Sequence, residues 1–192
     1  KEAGFKVNAW VDEMLAAGFK TFYKVENGVQ KYYDVNSKGY KAIPGRESFI
    51  ILSNYAEQKP VWKNAACRID DIGDGVLNVS WNTKMSAIGG ETLEAVTKGI
   101  EIAEQQGWKG VVLGHDAPNF SAGANIAMIF MMAIDQDYDE LDFAIRAFQQ
   151  TSMRIRYSSI PVIAAPHGLT LGGGCEFTMH SDSAVAAAET YI

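Results

Sequence analysis

Three consecutive glycines, Gly172, Gly173 and Gly174, followed by Cys175 and Glu176, are the residues whose types and spacing could do chemistry. Without Cβ atoms, such a turn lets a substrate atom approach the backbone, and its N–H groups can point at that atom instead of into a ladder. The apolar residues 160–165 lead into the turn through His167, and residues 177–180 continue it in helical composition. The order is strand, glycine turn, helix start, with a carboxylate two residues past the last glycine. A tight turn without chemistry would use the same glycines. A phosphate-cradling loop fits poorly, because neither G-x-G-x-x-G nor G-K-[ST] is present and Glu176 would repel a phosphate.

A second small-residue turn follows the strand-like residues 110–114. It comprises Ser121, Ala122, Gly123, Ala124, Asn125 and Ile126, and it opens another apolar segment of helical composition. Two such turns, each offering a backbone N–H, could converge on one oxygen. Together, F-S-A-G-A at 120–124 and H-G-x-x-x-G-G-G-C-E at 167–176 resemble the signature of the enoyl-CoA hydratase/isomerase (crotonase) superfamily.

The resemblance implies an α/β fold, a spiral of repeated β-β-α units. It implies that the N–H groups of Ala122 and Gly173 hold the thioester oxygen and that Glu176 is the acid–base residue. Ser86, Ala87, Ile88, Ser121, Gly123, Ala124, Asn125, Ile126 and Gly172 would line the substrate site. When water adds to a C=C bond conjugated to a thioester, negative charge develops on the carbonyl oxygen. Losing one N–H donor to such an oxygen typically costs about 10² to 10³ in rate.

The hydratases use a second Glu, which the resemblance places after the strand that ends here at Ile192. Glu189 fits the approach to that position and is not assigned to it. The chain begins at Lys1 and ends inside a strand-like run, residues 183–192. It therefore reads as a piece of a longer protein and is expected to be poorly active alone, since a missing acid–base residue costs about 10² to 10⁴.

The elements that must position these turns read as follows. Residues 5–17 place Phe5, Trp10, Val11, Met14 and Leu15 at mostly helical spacing, with Gly18 as C-cap. Asn27-Gly28 between two β-rich runs predicts a hairpin over residues 21–34, and residues 35–60 are polar and irregular. This first third is either a linker with a satellite hairpin or the end of a preceding domain. The division is then 1–60 and 61–192. The first part resembles the tail of a 3-hydroxyacyl-CoA dehydrogenase domain, although neither the nucleotide-binding glycine loop nor the catalytic His of that enzyme occurs here.

Residues 66–72 and 76–81 flank Gly73-Asp74-Gly75 as a second hairpin. A helix over 91–106 carries Leu93, Val96, Ile100 and Ala103 on one face and is closed by Gly107. A strand at 111–114, a helix over 141–157 and a strand at 161–165 complete an alternating α/β pattern. The apolar run 127–134 fits core or a subunit contact better than an acyl pocket.

Of 192 residues, 47% are hydrophobic, and 17 Lys+Arg face 23 Asp+Glu for a net charge of −6. The acidic balance argues against nonspecific nucleic-acid binding. No apolar run reaches the roughly 18 residues of a membrane span, and Cys67 and Cys175 have no metal spacing and suggest a reducing compartment. His115, His167 and His180 also lack metal-ligand spacing and read as structural. Arg68, Lys84 and Lys109 are candidates for the coenzyme A phosphates.

The expectation is a cytoplasmic acyl-CoA enzyme that needs no cofactor in this part, NAD belonging only to a dehydrogenase part, and that oligomerises as a full-length protein. Hydration is favoured by Glu176. Isomerisation or another acyl-CoA lyase reaction, and noncatalytic acyl-CoA binding, are the alternatives. A peptidase of the ClpP type lacks its G-x-S-x-G nucleophile here.

Overall fold

Asn27 and Gly28 take positive φ, 51° and 75°, and close a hairpin between β1 (Tyr23–Glu26) and β2 (Val29–Asp34), as the Asn-Gly pair predicts. The structure, a computed structural model, describes residues 7–192, and the chain divides into two units at Glu57/Gln58.

In the first unit α1 (Ala9–Ala16) buries Met14, and Gly18 follows it at φ 88°. Phe5, expected in this helix, lies outside the described residues. A third strand, β3 (Gly39–Ala42), pairs antiparallel with β2 in a stretch that reads as irregular in sequence. Aromatic packing accounts for it: Phe19 lies 5.1 Å from Tyr33 and 5.3 Å from Tyr40, ring centre to ring centre.

The second unit is built on a six-stranded sheet in the order β10-β8-β7-β6-β5-β4. β4 (Trp62–Lys63), β5 (Cys67–Asp71) and β6 (Val76–Trp81) are antiparallel neighbours, and the 73–75 turn runs entirely at positive φ. β7 (Gly110–Leu113), β8 (Val162–Ala164) and β10 (Ser183–Ala184) then add in parallel. The long helix α2 (Gly90–Gln106) lays Ala95, Val96, Gly99, Ile100 and Ala103, all buried, on this sheet. Gly107 closes it in the left-handed region at φ 75°. Of three more helices, α3 (Ile126–Ile134), α4 (Tyr138–Arg156) and α5 (Gly173–His180), α4 packs against α2, α3 and α5, and α5 against β8 and β10.

A second, smaller layer carries the turns. β9 (Gly168–Leu169) pairs in parallel with β11 (Thr190–Tyr191), and single bridges join Ser121 to Thr170 and Ile88 to Ala124. Residues 183–192 are thus not one strand, as expected, but two strands in different sheets. Their neighbour is itself interrupted: Pro166, between β8 and β9, has no N–H to continue a ladder.

The apolar run 127–134 is helical, within α3, but it is not core, since α3 buries none of its residues. Its packing neighbour is the amphipathic α4.

Gly99 shows how tightly α2 sits on the sheet, because a Cβ there would lie 2.6 Å from Val79 Cγ2. Replacing a helical Gly by Ala ordinarily gains up to about 1 kcal/mol. Here overpacking against a stiff β-branched core side chain, about 1–3 kcal/mol, outweighs that gain. Gly99→Ala is therefore expected to lower the urea midpoint of unfolding; an unchanged or raised midpoint would contradict this packing.

Candidate active site

The two turns are stitched together before either reaches a cavity. Phe120 N–H donates to His167 O at 2.8 Å, Ser121 N–H to Leu169 O at 2.9 Å, and Leu171 N–H returns to Ser121 O at 2.9 Å. The next donors of the first turn are used up in order. Ala122 N–H goes to Met85 O at 3.2 Å, and Gly123 N–H to Ser121 Oγ at 2.9 Å. Met85 and Ser86 reach this register by both taking positive φ, 58° and 52°. Ala124 N–H comes next and has no acceptor within the described protein.

The second turn does the same at a helix start. Gly172 bends the chain at φ 49°, ψ −116°, and Gly173 becomes the first residue of α5. Gly174 N–H is held by Leu171 O at 2.9 Å and Glu176 N–H by Gly172 O at 3.0 Å. Gly173 N–H is left as one of the unpaired donors of the helix N-terminus. The turns touch: a Cβ on Gly123 would lie 3.2 Å from Leu171 O and 3.6 Å from Gly173 N. On the other side Phe148 packs against Gly173, where a Cβ would lie 2.6 Å from its Cζ. Phe148 is itself stacked on buried Phe177 at 5.4 Å.

Ala124, Gly173 and Glu176 line one cleft of about 430 Å³. The apolar remainder comes from Ile88 and Leu93, from Met128, Ile129 and Met132 of α3, and from the first half of α4.

The expectation that Ala122 offers its N–H to the site does not hold, and the N–H of this turn that is left without an acceptor among the described residues is that of Ala124. The Ala122 N–H is already bonded to Met85, and Ala122 does not line the cleft. Of the other expected residues, Ile88 and Asn125 line it, Asn125 also capping α3 through Oδ1 to Met128 N–H at 3.3 Å. Ser86, Ala87, Ser121, Gly123 and Gly172 shape the backbone behind it, with Ser86 and Ser121 buried. Ile126 stands 75% exposed outside the cleft wall.

Among the cleft residues that escape the sequence reading are Phe148 and Glu140. Phe148 is hidden in the ordinary apolar stripe of α4. Glu140 lines the cleft from the first turn of α4, where an acidic residue needs no explanation beyond the helix dipole.

The histidines brace the turns from behind. Buried His115 donates from Nε2 to Phe120 O at 2.9 Å and accepts Ala117 N–H at Nδ1 at 3.3 Å, a pattern that requires the neutral ring. Burial pushes it down to about 4. His167 Nε2 lies 2.6 Å from Ala117 O, its ring 5.4 Å from that of His115. His180 Nδ1 lies 2.7 Å from Glu176 O at the end of α5.

Among the described residues, no group of three His, Cys, Asp or Glu is placed to hold a metal. Cys67 is buried and its thiol is pushed up to about 11 by desolvation, while Cys175 is partly exposed beside Glu176. Arg68 grips both oxygens of Asp70, at 2.6 and 2.7 Å, and Lys109 lies along Gly75. Lys84 alone of the three candidate cations sits on the turn that receives Ala122.

The profile of the enoyl-CoA hydratase/isomerase family matches residues 71–192. The chain belongs to the enoyl-CoA hydratase/isomerase family. An enoyl-CoA hydratase structure from Thermoplasma volcanium superimposes with a TM-score of 0.57 at 26% identity, over 66% of this chain and 50% of that one. A Mycobacterium smegmatis enoyl-CoA hydratase does so with a TM-score of 0.57 at 23% identity, over 66% and 49%, and speaks for the fold alone. The fold is the crotonase fold.

The chain is also 40% identical, over its whole length, to a Bacillus subtilis protein named a probable 3-hydroxyacyl-CoA dehydrogenase. It is 32% identical over 80% of its length to a Rickettsia prowazekii protein that carries the name fatty acid oxidation complex trifunctional enzyme. It spans 24% and 21% of the lengths of these two relatives. No helix among the described residues is long and apolar enough to cross a membrane.

The His115 brace has a pH signature. Its folded value lies below the ordinary 6.5, so the unfolded chain takes up a proton near 6.5 that the folded chain refuses until about 4. The contribution is complete above pH 6.5 and is lost as pH falls toward 4, in all about 3 kcal/mol. Urea unfolding of the native protein minus that of His115→Gln should show this slope between pH 6.5 and 4. Parallel curves would mean that the ring is not held neutral.

Proposed function

We propose that this chain forms the thioester-activating part of an enzyme that hydrates 2-enoyl-CoA to 3-hydroxyacyl-CoA in fatty-acid β-oxidation. The observation that carries the reading is that Ala124 and Gly173, whose N–H groups have no acceptor among the described residues, line one cleft together with Glu176. The N–H pair takes the thioester oxygen. Its hold strengthens as that oxygen becomes enolate-like, so it lowers the barrier more than it stabilises the ground state.

Glu176 removes a proton from water as the hydroxyl bonds to the β-carbon. The C=C electron pair moves onto the thioester, and a proton returned to the α-carbon completes the addition of H and OH. Family resemblance assigns a second glutamate to this proton traffic, and Glu140 is a further carboxylate at the cleft. Lys84 adjoins Met85, whose carbonyl receives the Ala122 N–H, and is assigned to a coenzyme A phosphate.

The first unit is read as the tail of a 3-hydroxyacyl-CoA dehydrogenase part. The whole-length similarity to the Bacillus subtilis protein supports this, since the family profile begins only at residue 71. NAD would serve that part and not the cleft. A cytoplasmic, oligomeric, bifunctional protein is the corresponding reading of the whole.

Double-bond isomerisation is the second reading, because the family's own name spans both reactions and moving a proton along the acyl chain can use Glu176 alone. The two separate by product. Incubation of a short 2-enoyl-CoA with protein extended past Ile192 should give loss of the conjugated thioester absorbance and a 3-hydroxyacyl product. Glu176→Gln should lower that rate by about 10² to 10⁴. Turnover of a 3-enoyl-CoA to the 2-enoyl isomer, with no hydroxyacyl product, would replace hydration by isomerisation. A rate unaffected by Glu176→Gln would remove both.

A further inference from the structure

Glu140 lines the cleft, yet the proposed chemistry gives it no step. The dipole of α4 does not single it out, because Asp139 serves the same helix turn and does not line the cleft.

Its place follows from helix spacing. Glu140, Ala144 and Phe148 all line the cleft, and at i, i+4 and i+8 they form one stripe of α4. Phe148 marks the thioester end, since its ring fills the space a Cβ on Gly173 would need. At roughly 1.5 Å of rise per residue, Glu140 stands about 12 Å farther along the helix axis. Glu176, by contrast, shares the first turn of α5 with Gly173. Exposure changes in the same direction: Phe148 and Ala144 are half-buried, and Glu140 is exposed. Glu140 therefore stands at an open end of the cleft, remote from the thioester.

Charge decides what comes to this end. Glu140 and Glu176 are the charged residues of the cleft lining, and neither has a cation partner among the described residues. Asp137 and Asp139 flank Glu140, and the nearby Arg146 is held by Asp142 at 2.6 Å. The phosphates of coenzyme A are repelled from such an end, so the acyl tail points toward it instead. A tail that emerges beside an exposed, unpaired carboxylate keeps its own polar end in water and gains an acceptor there. We infer that Glu140 is a specificity-determining residue for the far end of the acyl group, and that the cleft prefers acyl-CoA thioesters whose tail carries an ammonium group over unsubstituted ones. The inference rests on the cleft being the thioester site.

The test is calorimetric titration at low salt with hexanoyl-, octanoyl- and decanoyl-CoA and with the ω-amino and ω-carboxy forms of each. These saturated thioesters bind without being hydrated. At the length that brings the tail to Glu140, the amino form should bind about fivefold tighter than the unsubstituted form, a modest factor because Glu140 is exposed. The carboxy form should bind more weakly than the unsubstituted one. In Glu140→Gln the amino preference should vanish, and in Glu176→Gln it should persist, which separates the two carboxylates.

Equal binding of amino and unsubstituted forms at every length would overturn the inference. So would a preference that survives Glu140→Gln, or one that Glu176→Gln abolishes. Absence of binding by every unsubstituted thioester would remove the thioester site itself and the inference with it.

Discussion

On the proposed reading, two backbone N–H groups, those of Ala124 and Gly173, must stay without a protein acceptor while their residues line the same cleft. That requirement governs the second unit. A buried N–H left unpaired costs about 1–3 kcal/mol, so a packed protein spends every such donor unless something prevents it. Here the neighbours of each free donor are used up: Ala122 on Met85, Gly123 on Ser121 Oγ, Gly174 on Leu171, Glu176 on Gly172. Helix geometry leaves Gly173 N–H unpaired, and the close approach of Gly123 to the 171–173 backbone sets the two turns edge to edge.

The rest of the unit can be understood as the means of holding that arrangement still. The parallel strands β7 and β8 deliver the chain to the two turns from adjacent positions in one sheet. The neutral ring of His115 and the ring of His167 tie the 115–120 segment to the glycine turn from the side away from the cleft. Phe148, seated on Phe177, fills the space a Cβ at Gly173 would need and so makes glycine obligatory there. Helices α3 and α4 then supply an apolar wall, which suits an acyl chain and strengthens the electrostatic hold on the thioester oxygen by excluding water.

Much of this was legible in the sequence, and the rest was not for physical reasons. The Asn-Gly hairpin, the Gly107 cap of α2 and both glycine turns announce themselves because a backbone conformation demands a particular residue. The strand β3 does not, since its support is the packing of its own Tyr40 against Phe19 and Tyr33, which lie elsewhere in the chain. The break between β10 and β11 is written in Pro166, on the neighbouring strand rather than their own. Sequence alone points to Ala122, because which N–H of a small-residue turn is left without an acceptor depends on the left-handed pair Met85–Ser86, more than thirty residues away. The apolar helix α3 reads as core by composition, whereas it forms the wall of a cleft.

That Ala124 and Gly173 hold the substrate oxygen is tested most directly by the amide proton resonances of the isotopically labelled protein as an acyl-CoA is added. The Ala124 and Gly173 amide protons should move downfield together on binding, as each gains its first acceptor, while Ala122, already bonded to Met85, stays in place. Movement of Ala122 with Ala124 and Gly173 unchanged would contradict the assignment and return the oxygen to the other side of the turn.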